Sequence, residues 1–222
     1  VASITRNPTN THDQKTLHYV YDPLCGWCYG IAPLIDIVNH DSSCPIKLHG
    51  GGLFTPARTV TGGQLWKDHV TPIDERISQL SGQLFSRQYQ ENLGNTEMTL
   101  NSLLPISAII VAEELENRGV ELLKALQIAY YQDGLNISDK QMLLFIAHKL
   151  GFDITLFSSL FKQVNETQVA QHLQQTQQLM SQVNGRGFPT LFIEENQTYH
   201  LIPIEKYIGD ENGWRQFIKE AL

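Results

Sequence analysis

The chain has 222 residues, enough for one large domain or for a small fold carrying an inserted module. With 41% hydrophobic and 18% charged residues and ordinary Gly and Pro numbers, its composition is that of a globular chain and excludes a disordered or fibrous one. Sixteen Lys and Arg against 23 Asp and Glu give a formal charge of −7 with no basic cluster, which argues against binding nucleic acid or an anionic membrane, and no apolar run approaches a bilayer span.

Residues 1–15 are polar and lack the apolar stretch of a secretory signal, which points to the cytoplasm; a signal already removed would point to the periplasm. Leu17–Asp22 reads as a short buried strand, rich in aromatic and β-branched residues. Pro23 ends it. Ile31, Leu34, Ile35 and Val38 then recur at helical spacing, so a helix is predicted from Cys25 to about Asn39. Ile46–His49 alternates like a second strand and runs into Gly50-Gly51-Gly52, completing a βαβ unit with parallel strands.

The next hundred residues read as helical. Thr71-Pro72-Ile73-Asp74 has the form of a helix start, with Ile73, Ile77, Leu80 and Leu84 as its apolar stripe. Leu103–Leu115 and Leu122–Tyr131 supply two more stripes, and Ser138-Asp139-Lys140-Gln141 reads as a capping box ahead of Met142–Leu150. Asp153–Phe161 is a short further helix, and Glu166–Val183 a Gln-rich one. The period then changes: Phe188-Pro189-Thr190 leads into a hairpin of Leu191–Ile193 and Tyr199–Ile202, and Trp214, Phe217, Ile218 and Leu222 mark a C-terminal helix. The predicted organisation is an α/β fold in two parts, residues 16–61 and 165–222, interrupted by a helical insertion over 62–164.

Three cysteines in a chain of this length make no disulfide scaffold, and two of them sit as Cys25-Gly26-Trp27-Cys28. At a helix N-terminus the first sulfur faces free backbone N–H groups and the positive end of the helix dipole, which favour thiolate over thiol. The second lies one turn on, close enough to close a disulfide ring. This makes Cys25 the attacking thiol and Cys28 the resolving one. A zinc site would need Cys25, Cys28, Cys44 and His49, but strand parity puts His49 on the face opposite Ile46 and Leu48, so no metal is expected. Cys44 reads as a small buried hydrophobe rather than a third redox partner. Asp22, three residues before Cys25, is a candidate proton relay and a slightly better candidate for the carboxylate that holds the turn, and His49 is a second relay candidate.

Tyr21-Asp22-Pro23-Leu24-Cys25-Gly26-Trp27-Cys28-Tyr29-Gly30 resembles the active-site block of the thioredoxin-fold DsbA superfamily, most closely the FrnE-like group of predicted protein-disulfide isomerases. Gly51-Gly52-Leu53, the helical middle and Phe188-Pro189-Thr190 fit the same resemblance, which spans residues 16–222. It implies a thioredoxin-like fold with a large helical insertion, a cis Pro189 beside the cysteines, and a Phe188 backbone offered to a substrate peptide. Trp27, Tyr29, Phe188 and Thr190 are then the expected substrate-binding residues. The pair is neither Cys-Pro-His-Cys nor Cys-Gly-Pro-Cys, so the redox direction cannot be copied from other members. Tyr19 occupies the place of the buried carboxylate that some relatives use.

The expected activity is thiol–disulfide exchange on cysteine-containing proteins or peptides through Cys25, Cys28 and Pro189. No cofactor is needed beyond the redox-active sulfurs, with glutathione as a candidate co-substrate. Two rival readings are a glutathione-dependent isomerase or transferase of the same superfamily and a peptide-binding module with idle cysteines.

Overall fold

The computed structural model describes residues 15–42, 44–164 and 166–222; the polar segment read as signal-free lies, but for Lys15, outside the described residues. A four-stranded sheet has the order β2-β1-β5-β6, built from β1 (Thr16–Tyr21), β2 (Ile46–Gly50), β5 (Thr190–Glu195) and β6 (Thr198–Ile202). β1 runs parallel to β2 and antiparallel to β5, and β5 and β6 form the expected hairpin, turned by Asn196 and Gln197 at positive φ. β1 is buried on both faces. Leu17, Tyr19 and Tyr21 point into the main core, while Val20 joins Phe192 and Val183 in a second cluster on the other face.

The helix expected over 25–39 forms in two pieces, α1 (Gly26–Gly30) and α2 (Ala32–Asp41). Pro33 explains the break, because it lacks the N–H that would bond the carbonyl four residues back. That carbonyl, Tyr29 O, accepts from Gln83 Nε2 at 2.9 Å instead. Trp214 of α10 (Glu211–Ala221) is fully buried and donates its indole N–H to Leu34 O at 2.8 Å, fastening α10 to α2.

Between β2 and α9 (Glu166–Gln182) lie α3 (Gln64–Ser81), α4 (Arg87–Leu93), α5 (Leu103–Glu116), α6 (Gly119–Tyr131), α7 (Lys140–Lys149) and α8 (Ile154–Gln163). A two-residue ribbon of β3 (Val60–Thr61) and β4 (Thr99–Leu100), which carries no sequence signal, closes this stretch near its start. α3 begins seven residues before the expected Thr71 start and continues through Pro72. Its buried side is Asp74 and Ile77; Ile73, Leu80 and Leu84, read as core, are exposed. The cap of α7 is Asp139, which accepts from Met142 N, whereas Ser138 bonds Asn101 across the chain. Among the described residues no helix is long and apolar enough to cross a membrane.

Candidate active site

The site is built at the C-terminal end of β1, where the chain turns into α1. Asp22 is fully buried and organises the turn: Oδ1 accepts from Leu24 N at 2.9 Å and from the Ser102 hydroxyl at 3.0 Å, and Oδ2 accepts from Leu53 N at 2.6 Å. One carboxylate thus joins the β1–α1 turn, the segment leaving β2 and the start of α5. Burial pushes its pKa up to about 6 against the pull of these donors.

Cys25 is the N-cap of α1, at φ −89° and ψ 116°, and its carbonyl accepts from Tyr29 N. Cys25 is buried but not fully enclosed, with 8% of its surface exposed, and its thiol points at the carbonyl of Phe188, 3.5 Å away. Cys28 is completely enclosed. Burial, reinforced by the adjacent Cys25 sulfur, pushes the Cys28 thiol well above its ordinary pKa, so it rests protonated. Both cysteines are free thiols.

The Phe188–Pro189 peptide bond is cis. The Phe188 ring lies on Gly51, where a Cβ would be 2.1 Å from Cζ; only a glycine lets the ring rest there. Phe188 also forms one wall of an open cavity of about 510 Å³, lined as well by Gly52, Arg58, Leu173 and Met180. Trp27 is half-buried against the main core. Cys25, Cys28, Phe188 and Pro189 therefore converge, with Asp22 sealed behind them and Trp27 at the border.

The side chains of three expected site residues engage other partners. Tyr29 is turned into the protein: its ring stacks on Tyr131 at 4.6 Å, and its hydroxyl donates to Leu84 O while accepting from Gln132. Two residues beyond Trp27 on a helix is about 200° of rotation, which points Tyr29 away from the rim. Thr190 is buried, its hydroxyl donating to Gly187 O within the loop. His49 pairs with Val20 in register and so occupies the sheet face opposite Cys28. There it lies 3.0 Å from His18, whose other ring nitrogen meets Glu194 at 2.9 Å. A carboxylate only accepts, so His18 carries its proton on Nε2 and His49 Nε2 is the donor between the rings. Cys44, at the far end of β2, directs its thiol to Lys15 O. Among the described residues no three His, Cys, Asp or Glu side chains are grouped to hold a metal ion.

One residue at the site was not singled out from the sequence for chemistry. Asp74 of α3 is 5% exposed, accepts from the Tyr89 hydroxyl at 2.9 Å, and abuts Gly26. Burial pushes its pKa to about 7. Its only sequence signal was an acid inside an apolar stripe, which a helix start explained equally well.

The family model for a DSBA-like thioredoxin domain matches residues 16–206. The cytosolic disulfide reductase DsbM from Pseudomonas aeruginosa is 32% identical over 92% of this chain and 97% of its own, with a TM-score of 0.85. The same protein with GSH gives a TM-score of 0.84, at 32% identity over 92% of this chain and 98% of its own. A provisionally assigned protein disulfide isomerase from Nitrosomonas europaea shares the fold, with a TM-score of 0.73 and 21% identity over 95% of this chain and all of its own. No curated protein matches by sequence. The chain belongs to the DSBA-like thioredoxin domain family, whose members are thiol–disulfide oxidoreductases and isomerases.

Proposed function

We propose that this protein reduces disulfides of proteins or peptides by dithiol–disulfide exchange through Cys25 and Cys28, with glutathione as the thiol that regenerates it. The observation that carries this is the asymmetry of the pair: Cys25 keeps a little exposed surface and points at the Phe188 carbonyl, while Cys28 is fully enclosed. The Cys25 thiolate attacks one sulfur of the substrate disulfide, forming a mixed disulfide and releasing the first substrate thiolate. Cys28 gives up its proton and attacks Cys25, releasing the second thiolate and closing the Cys25–Cys28 disulfide. Two molecules of glutathione return the dithiol and leave as one glutathione disulfide, so electrons and protons balance. We assign the relay of the Cys28 proton to Asp22, which is buried and near enough for its charge to oppose ionisation of that thiol. Phe188, Pro189 and Trp27 border the substrate.

The reducing direction, glutathione and a cytosolic setting are supported by the 32% identity to a cytosolic disulfide reductase with a glutathione-bound structure. We further assign residues 62–164 as a helical insertion in a thioredoxin-like unit formed by 16–61 and 165–222, and place the chain with the FrnE-like group.

The test is trapping. Cys28→Ser should accumulate a mixed disulfide with a cystine-containing peptide or with glutathione, and Cys25→Ser should form none. Reduction of the peptide that survives Cys25→Ser would refute the reading. A Cys25–Cys28 couple poised near about −120 mV, rather than near the roughly −270 mV of a reductant, would reverse its direction.

A further inference from the structure

The carboxylate of Asp74 reaches the cysteine loop from α3. Its Oδ1 would be 3.1 Å from a Cβ on Gly26, and Ile77, one turn on, would be 3.0 Å from the same point, so this pair of α3 side chains packs directly on the residue between Cys25 and Trp27. Tyr89 of α4 donates to Oδ2. Tyr130 and Tyr131 of α6 complete the surround, and Tyr131 is close enough to both Cys25 and Asp74 for charge on either to oppose its ionisation. The titratable groups around Asp74 are Tyr89, Tyr130 and Tyr131, and Tyr131 also neighbours Cys25; among the described residues no Lys, Arg or His forms an ion pair with Asp74. An unpaired carboxylate in such a place is costly to the fold, and its nearest chemistry is the exchange pair.

We propose that Asp74 is a positioning residue of the exchange reaction, whose negative charge, packed on the Gly26 backbone of the cysteine loop, opposes the negative charge that reduction brings there and holds the Cys25–Cys28 couple at a more reducing potential. The proposal rests on the exchange reading above. Reduction takes the neutral disulfide, two electrons and one proton to a Cys25 thiolate and a Cys28 thiol. A charge at Asp74 raises the energy of the reduced side alone and so favours giving the electrons away. Because burial pushes Asp74 to about 7, the effect engages as pH rises through neutrality.

The experiment is the equilibrium of the couple with a glutathione buffer, in a Cys44→Ser background, at pH 5.5, 7, 8 and 9. Asp74→Asn, which keeps an oxygen for Tyr89, should match the parent at pH 5.5. At pH 8 it should be roughly tenfold more oxidising, a potential about 30 mV less negative. Tyr89→Phe keeps the carboxyl but removes the donor that favours its charged form. It should behave like Asp74→Asn at pH 7 and return towards the parent at pH 9. An Asp74→Asn potential equal to the parent's at pH 8, or offset equally at pH 5.5 and pH 8, would overturn the proposal and leave the exchange reading standing. A parent that forms no reversible Cys25–Cys28 disulfide would overturn that reading and this proposal with it.

Discussion

The ring of Phe188 rests on the bare backbone of Gly51, and the carbonyl of the same Phe188 accepts from the Cys25 thiol. Position 51 therefore controls the cysteine environment without touching it. Gly51→Ala must push the ring off its seat, and the carbonyl moves with it. Mixed-disulfide formation should slow by roughly tenfold to a hundredfold, with a stability cost of about 1–3 kcal/mol from overpacking. Stopped-flow reaction with a cystine peptide measures the first and urea unfolding the second; an unchanged rate would mean that ring and carbonyl move independently.

Asp74 also shapes the pH dependence of folding. Its carboxyl titrates at about 7 in the native chain against 3.8 as the ordinary value, so the native state holds an extra proton between these limits. Stability from this group is intact at pH 3.8 and is lost as pH rises through 7. Asp74→Asn should therefore be more stable than the parent by about 1–3 kcal/mol at pH 8 and no more stable at pH 4. Denaturant midpoints at the two pH values decide it.

The histidines on the other sheet face give the opposite slope. Burial, with His18, Lys47 and His172 of α9 nearby, pushes His49 down to about 3, and burial lowers His18 as well. The unfolded chain then binds protons that the native one refuses, so stability is complete above 6.5 and falls as pH drops towards 3. His49→Gln should remove about 2 kcal/mol of the acid loss between pH 7 and pH 4.5. Parallel pH profiles of parent and variant would show that His49 does not drive the acid transition.

The break between α1 and α2 yields a coupled pair. Gln83→Ala leaves Tyr29 O without its donor and should cost about 1–3 kcal/mol. In a Pro33→Ala background the restored N–H can take that carbonyl, so the same Gln83→Ala change should cost roughly half as much or less. A double-mutant cycle by thermal unfolding checks this, and strict additivity would rule out the exchange of donors.

How much of this was legible beforehand follows from what each feature depends on. The Cys-Gly-Trp-Cys turn, the strands on either side of it and the late hairpin depend on local period and on Gly, Pro and Cys at fixed positions, and these were read directly. The two-piece helix after Cys25 was misread because an early Pro33 is tolerated in a helix start, and only its placement beyond the first turn makes it a break. The α3 stripe was misread because Ile73, Leu80 and Leu84 have the right spacing for a core face, while the neighbouring Asp74–Ile77 edge is the one that α1 covers. Which sheet face meets the cysteines is a tertiary fact. Parity separated His49 from Leu48, yet nothing local says which of them would share a side with Cys28.

The full enclosure of Cys28 leaves the exchange centre with a single terminal. On the proposed exchange reading, electron pairs enter and leave through the sulfur of Cys25, so a substrate disulfide and the regenerating thiol take turns at one port. Turnover should follow double-displacement kinetics, with parallel lines in double-reciprocal plots. Each reactant in excess should inhibit by occupying the port meant for the other.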